Sequence, residues 1–123
     1  MEDVTLMIPF KIDAECVDGV VCTAFDGDYG GCWYWIEHFS IAKEPTEKAE
    51  FMTDIISRGG AYRMKVEDEE YTFDLNALQR GFEKYAKWCM QTGRELLTDA
   101  GDIDATEADI IVQFGVFGDI IYG

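Results

Sequence analysis

The sequence has no long apolar run and no basic stretch near its first residue, the two features that mark membrane-spanning and secreted chains. Its first residue is methionine, followed by Glu2 and Asp3, so we expect neither a signal peptide nor a transmembrane helix, and no membrane partner. The 123 residues are 48% hydrophobic and 14% aromatic. A chain of this kind can form its own core without metal or disulfide support, so we predict one domain over residues 1–123.

Positive charge is scarce, and it is missing altogether from one end of the chain. Ten Lys and Arg stand against 25 Asp and Glu, a net charge of -15. Residues 1–37 hold eight acids and one base, and residues 95–123 hold seven acids and no base. If the fold brings the two ends together, one side of the protein carries a strongly negative field, which would repel nucleic acid. An acidic surface that only maintains solubility explains the same charge.

The sequence also lacks the motifs of common enzyme chemistry. It has no G-x-S-x-G, P-loop, G-x-G-x-x-G or H-E-x-x-H pattern. His38 is the only histidine, and Cys16, Cys22, Cys32 and Cys89 form no C-x-x-C pair, so no zinc site or Cys-His nucleophile is indicated. Such scattered cysteines are typical of a reduced cytoplasmic protein that buries them as small hydrophobes. We therefore predict no enzymatic activity and no cofactor.

Hydrophobic periodicity in the first third of the chain predicts a strand, a helix and a second strand. A strict period of two over residues 4–12 indicates the first strand, and Asp13 begins a helix whose apolar stripe ends at Phe25. The second strand is predicted across CWYWIEHFSIA, with Trp33 and Trp35 on its buried side.

The middle of the chain predicts a helix, a hairpin and a long helix. Thr46 caps the first of these helices, with Phe51 and Met52 pointing inward. AYRMKV and YTF flank an acidic turn, a hairpin signal. Asp74, or alternatively Thr72, then begins a helix that ends near Gly93. The predicted fold class is α+β, a small mostly antiparallel sheet packed against about four helices.

Residues 102–123 form the most apolar run. Thr106 and Asp109 form a T-x-x-D helix start, and Gly118 ends the helix. A face with Ile110 and Phe114 is predicted on this helix. So large an apolar surface must be buried, either in the core, which we favour, or in an interface between copies of the chain, so a homo-oligomer through this segment stays open.

An EF-hand-like loop is the sharpest motif match. Asp26, Asp28 and Glu37 occupy loop positions 1, 3 and 12, and Gly31 occupies position 6. Position 5 is Gly30, which has no side-chain oxygen, and the chain has no second loop of this kind. A glycine-rich turn explains the same residues, so we predict no metal.

Trp33, Tyr34 and Trp35 form an aromatic cluster directly after a glycine turn. Core packing is the simplest explanation of the cluster. The functional alternative is a stacking platform for a base, or a hot spot for a protein partner. With phosphate contacts from Arg58 and Arg63, this alternative predicts a small-molecule binding protein that sequesters a signalling nucleotide.

Two acidic clusters are candidates for partner binding. The cluster at the predicted hairpin consists of Glu67, Asp68, Glu69 and Glu70. The cluster before and within the start of the last helix consists of Asp99, Asp102, Asp104, Glu107 and Asp109. The positive end of the helix favours some of these acids locally. A carboxylate array of this kind can also imitate a phosphate backbone and occupy the basic channel of a nucleic-acid-binding protein.

Three pieces of the sequence resemble one family. They are GGCWYW (residues 30–35), SRGGAYRMKVEDEEYTFDLNALQRGF, and ADIIVQFGVFGDIIYG (residues 108–123). The chain resembles a group of small proteins encoded by phages and prophages of Gram-positive bacteria, with an ending A-D-x-I-x-Q-x-x-x-F-G-x-x-x-Y-G. The resemblance implies action in the cytoplasm of a bacterial host and carries no site residue over.

The leading hypothesis is a non-enzymatic phage accessory protein, anti-CRISPR-like, whose acidic face mimics nucleic acid. Its partner would be a host defence or nucleic-acid-binding protein with a basic surface. The alternatives are the nucleotide-sequestering protein and a self-assembling structural phage protein.

Overall fold

The computed structural model describes residues 3–4, 9, 11–26 and 30–123. These contain three helices and three strands: α1 (Ala14–Phe25), β1 (His38–Lys43), β2 (Ala61–Val66), β3 (Glu69–Phe73), α2 (Leu75–Thr92) and α3 (Ala105–Phe117). One turn of 3₁₀ helix, Met52–Asp54, lies between β1 and β2. The α+β class is confirmed, with three α-helices and this short turn in place of about four helices. The strand predicted over residues 4–12 lies for the most part outside the described residues.

The three strands form an antiparallel sheet in the order β1-β2-β3. The turn between β2 and β3 consists of Glu67 and Asp68, with φ of 49° and 67°. Two positive φ angles give the turn a twist that matches its flanking strands. The predicted hairpin is confirmed, but its turn is shorter than the acidic run, because Glu69 and Glu70 belong to β3.

The predicted starts of α1 and α2 are confirmed. Asp13 and Asp74 each accept a hydrogen bond from the backbone amide three residues on, at 2.9 Å. The left-handed Gly93, with φ of 73°, ends α2. One face of α2 is buried as its periodicity predicts: Ala77, Leu78, Gly81, Phe82, Tyr85 and Cys89. Leu75, in the first turn, is 45% exposed.

The start of α3 differs from the sequence prediction. The Asp104 carboxylate accepts from the amide of Glu107 at 2.9 Å, so Asp104 is the N-cap. Thr106 therefore lies inside the first turn. The predicted end at Gly118 is confirmed, with φ of 77°. None of the helices in the described ranges is long and apolar enough to cross a membrane.

α2 and α3 touch through their backbones at two glycines. A Cβ on Gly81 would lie 2.3 Å from the Ile111 carbonyl oxygen, and a Cβ on Gly115 would lie 2.3 Å from that of Ala77. Side chains at these positions would force the helices apart. The close approach buries α3 on nearly all sides, and its residues join α1, α2 and the sheet in one hydrophobic core.

The helix predicted after Thr46 is wrong. The backbone amide and the hydroxyl of Thr46 both donate to the Arg58 carbonyl oxygen, at 2.9 and 3.0 Å, so Thr46 closes a loop and caps no helix. Only the 3₁₀ turn forms in this segment. Phe51 and Met52, expected inward, are 66% and 50% exposed.

The second predicted strand begins later than its pattern suggested. Residues 31–35 form a turn that packs on α1, because the amides of Gly31 and Cys32 donate to carbonyl oxygens in the last turn of that helix, at 3.0 and 3.1 Å. The regular strand begins only at His38. The aromatic cluster therefore lies in a turn.

The loop between α2 and α3 lies against α1. The Cys16 thiol donates to the Thr98 carbonyl oxygen at 3.1 Å. Gly19 faces Ala100 so closely that a Cβ on Gly19 would lie 2.5 Å from the Ala100 methyl group. Acid-rich residues near both ends of the sequence thus come together at one side of the fold.

Candidate functional site

A buried carboxyl group, that of Asp109, lies at the centre of a polar network. Asp109 is 8% exposed. Its Oδ1 accepts hydrogen bonds from Trp35 Nε1 at 2.7 Å and Gln113 Nε2 at 2.9 Å, and its Oδ2 accepts from the Tyr34 hydroxyl at 2.5 Å. Burial and the hydrogen bond to Asp109 raise the pKa of the Tyr34 phenol. These donors compensate the loss of water, as a buried acid requires.

Gln113 extends the network to the last residues of the sequence. It is fully buried, and its Oε1 accepts from the amides of Ile121 and Tyr122 at 2.8 and 2.9 Å. Its Nε2 also lies 3.2 Å from the Tyr122 carbonyl oxygen. The Tyr122 ring stacks on Trp35, with centroids 6.0 Å apart and planes at 5°. One amide side chain therefore holds the segment after α3 against the core.

A second buried acid, Glu107, connects α3 to the end of α2. It is 6% exposed and accepts from the Tyr85 hydroxyl at 2.7 Å. It also forms an ion pair with the Arg94 guanidinium, which lies 4.7 Å from the centre of the Trp88 ring. Burial, followed by the Glu107 hydrogen bond, raises the pKa of Tyr85. The pair fixes Arg94 over Trp88, a cation–π arrangement.

The two networks border one cleft of about 460 Å³. Its walls come from the turn at residues 31–35, the end of α2, the first half of α3 and the segment after α3. The residues that give the cleft its chemistry are Tyr34, Trp88, Arg94, Thr106, Ile110 and Ile120. It is mainly apolar, and its polar lining groups are the Arg94 guanidinium, the Asp109 carboxylate and the hydroxyl groups of Tyr34, Thr106 and Tyr122. A concave apolar site with few polar groups is the usual form of a binding site.

The structure divides the predicted acidic cluster around α3. Asp99, Asp102 and Asp104 are exposed on the loop that lies against α1. Glu107 and Asp109, by contrast, point inward and are occupied by internal donors. Their burial and internal hydrogen bonds disfavour contact with a partner, which for these two residues stays an untested prediction. Their burial follows from the helix start at Asp104, which turns them toward α2 and the 31–35 turn.

The acidic surface, as the term is used from here on, comprises Asp13, Glu15, Asp99, Asp102 and Asp104. All five side chains are exposed. Burial raises the pKa of the Cys16 thiol, and the nearby charges of Asp13 and Asp99 raise it further. No Lys or Arg occurs in residues 12–42 or 95–123, the stretches that supply this surface.

The hairpin acids form a separate group. Glu67, Asp68, Glu69 and Glu70 are all exposed, and Asp68 lies 3.7 Å from Lys65. Glu67 lies near the segment after α3. Desolvation, and then the charge of Glu67, raise the pKa of the Tyr122 phenol in that segment. Tyr122 lines the cleft, as does Ala105 directly after Asp104, so both acidic groups border residues of the cleft wall.

The aromatic cluster does not form a platform of three rings. Trp35 is 5% exposed, and Trp33 is half-buried against Phe25 and Phe39. Only Tyr34, at 59% exposure, offers a ring to a partner.

The residues proposed for the nucleotide alternative serve other contacts. The Trp35 indole donates to Asp109, and Arg58 Nη1 donates to the Lys48 carbonyl oxygen at 2.6 Å. Arg63 is exposed on β2. The structure gives this set no common site.

The calcium interpretation gains no support. The Glu37 carboxylate accepts from the Glu67 amide at 2.9 Å, so it stabilises the hairpin. Asp28 lies outside the described residues. Within the part of the chain that the structure describes, no three acidic, histidine or cysteine side chains are placed to hold a metal ion. All four cysteines are free thiols, three of them buried, as their scatter predicted.

Comparison with family models, with curated proteins and with solved structures finds no match for the chain.

The geometry gives physical reasons for residues in two of the three sequence pieces singled out above, GGCWYW (residues 30–35) and ADIIVQFGVFGDIIYG (residues 108–123). Gly31 lies so close to α3 that a Cβ would be 2.3 Å from the Ala105 carbonyl oxygen. Trp35, Asp109 and Gln113 form the buried network. Sequence reasoning missed this network, although two polar residues four apart in an apolar helix were the signal for it.

Proposed function

We propose that the protein is a non-enzymatic phage accessory protein that binds and inhibits a host defence or nucleic-acid-binding protein in the bacterial cytoplasm. The acidic surface contacts lysine and arginine residues of that partner. It occupies the place of a nucleic-acid backbone, as in an anti-CRISPR-like mimic. The phage context rests on the sequence resemblance, and the mode of binding rests on charge.

The observation that supports the proposal is the meeting of the two acid-rich ends. Asp99, Asp102 and Asp104 are exposed within six residues, and contacts of Thr98 and Ala100 place their loop on α1. Clustered carboxylates without intervening bases raise the local negative potential, which speeds association with a basic surface.

The same charge disfavours two other functions. Two copies with a net charge of -15 repel each other, which opposes self-assembly unless a large apolar area is buried. Free nucleotides and nucleic acids are anions and are repelled in the same way. A basic protein is the partner class that this charge attracts.

Capture from a Gram-positive host lysate tests the proposal. The immobilised protein should retain a basic partner at about 50 mM salt and release most of it at about 500 mM, because screening shortens the reach of exposed charges. Double-stranded DNA added in excess should release the same partner.

A triple variant with D99N, D102N and D104N should weaken binding about tenfold, if each exposed ion pair contributes about 0.5 kcal/mol. Asn keeps the shape of each side chain and remains a good N-cap at position 104. The matched control replaces three exposed acids on other elements, as E44Q, E50Q and E83Q. Capture that ignores salt, or that survives the first triple variant as well as the second, would contradict the proposal.

A further inference from the structure

We propose that the cleft receives an aromatic side chain of the basic partner, so that the recognised segment of that partner carries one aromatic residue between lysines or arginines. This inference rests on the proposed function. It adds to the acidic surface a pocket that anchors the partner.

The chemistry of the cleft selects an aromatic anchor. Trp88, Ile110 and Ile120 provide apolar walls, and the Tyr34 ring is 59% exposed beside them. The Arg94 guanidinium is held by Glu107 against Trp88, yet its side chain remains 46% exposed. A guanidinium plane attracts an aromatic ring and repels another cation, so an arginine anchor is disfavoured.

The surroundings of the cleft select basic neighbours for that anchor. Asp104 directly precedes Ala105, which lines the cleft from α3, and Glu67 lies beside Tyr122, which lines it from the segment after α3. An aromatic side chain in the cleft would therefore have a carboxylate near each of these two walls. Lysine or arginine on each flank complements this arrangement, whereas a second copy of this acidic chain does not.

The cleft is formed before a partner arrives. Gln113 fixes the backbone of Ile121 and Tyr122, and Glu107 fixes Arg94. Because these groups are already ordered, binding loses little conformational entropy. Tryptophan and tyrosine are, with arginine, the residues most enriched among interface hot spots, which occupy such desolvated pockets and are surrounded by weaker contacts.

Two synthetic peptides test the inference. Both are acetylated and amidated, and both carry two lysines on each side of a central residue, which is tryptophan in one and alanine in the other. Titration followed by amide and indole NMR signals gives the affinity and the location. The tryptophan peptide should bind about tenfold more tightly. Its largest shifts should fall on the Trp88 indole and on the amides of Ile110 and Ile120.

A variant that fills the cleft provides the matched control. Thr106 is exposed and lines the cleft, so T106F should remove the advantage of tryptophan while leaving the alanine peptide unchanged. Q79F places the same ring at an exposed position on α2 outside the cleft and should retain the advantage.

The outcomes separate the inference from the proposed function. Equal binding of the two peptides, weakened by the D99N, D102N and D104N triple variant, overturns the aromatic anchor and leaves the acidic surface in place. Equal affinity for tryptophan amide alone and for the tryptophan peptide overturns the partner segment and assigns the cleft to a small molecule. Absence of binding by either peptide overturns both.

Discussion

Removal of the Asp109 carboxyl group tests the role of the buried network most directly. D109A leaves the buried Trp35 Nε1 without an acceptor, and it removes one of two acceptors of Gln113 Nε2, which keeps the Tyr122 carbonyl oxygen. A buried donor without a partner costs about 1–3 kcal/mol, so the loss should be about 1–3 kcal/mol from Trp35, with a smaller addition from Gln113. The Tyr34 hydroxyl loses the same acceptor but is exposed enough to bind water. The loss is a large part of the stability of a domain of this size.

D109N is the matched variant and should cost less, about 1 kcal/mol. Its remaining oxygen can accept from Trp35 and Gln113, while its new amide faces the Tyr34 hydroxyl, which can rotate and accept. E83A removes an exposed carboxylate on α2 and should change stability by less than about 0.5 kcal/mol. Urea unfolding followed by tryptophan fluorescence and by circular dichroism measures all three variants. Equal small losses for D109A and D109N would refute the reasoning.

Two further predictions concern packing and pH. G81A should destabilise the fold by about 1–3 kcal/mol, because its Cβ would meet the Ile111 carbonyl oxygen. The control G93A should cost about 1 kcal/mol, from its positive φ alone. Equal losses of stability in urea unfolding would contradict the close α2–α3 contact. Burial raises the pKa of the Tyr62 and Tyr85 phenols above the usual 10.0, so their contribution to stability is complete below that pH and is lost as pH rises above it. Absorbance at alkaline pH should show these two phenols ionising only with unfolding, and their titration near pH 10 in folded protein would contradict this.

Local signals in the sequence were sufficient where the structure depends on neighbours in the chain. Asp13 and Asp74 satisfy amides three residues away, and Gly118 takes a backbone angle that other residues avoid. The hairpin turn and the buried face of α2 also follow from short-range patterns. These features required no knowledge of distant contacts.

Prediction failed where a distant partner decided the outcome. Thr46 has the chemistry of a helix cap, but the Arg58 carbonyl oxygen, twelve residues away, takes its hydroxyl. Asp109 has the charge of a surface residue, but its donors Tyr34 and Trp35 lie 75 and 74 residues earlier in the sequence. A charge count alone places such an acid outside, because burial depends on donors that only the fold brings near.

The cleft could not be predicted for the same reason. Its walls come from four separate segments, and Arg94 and Trp88 enter it only because Glu107 on another helix holds the guanidinium in place. The acidic surface was partly predictable, since its charge was evident and only its assembly depended on the fold.

The residues that resemble the phage group are largely those that build the fold. Gly31, Trp35, Asp109 and Gln113 are needed for the buried network and for close contact with α3. The loop acids at residues 99–104 lie outside all three resembling pieces. A protein that shares these pieces is therefore expected to share the scaffold, while under the proposed function the charge of this loop would set which partner it binds. Differences among such proteins in the 99–104 loop, more than their common ending, should then correspond to differences in target.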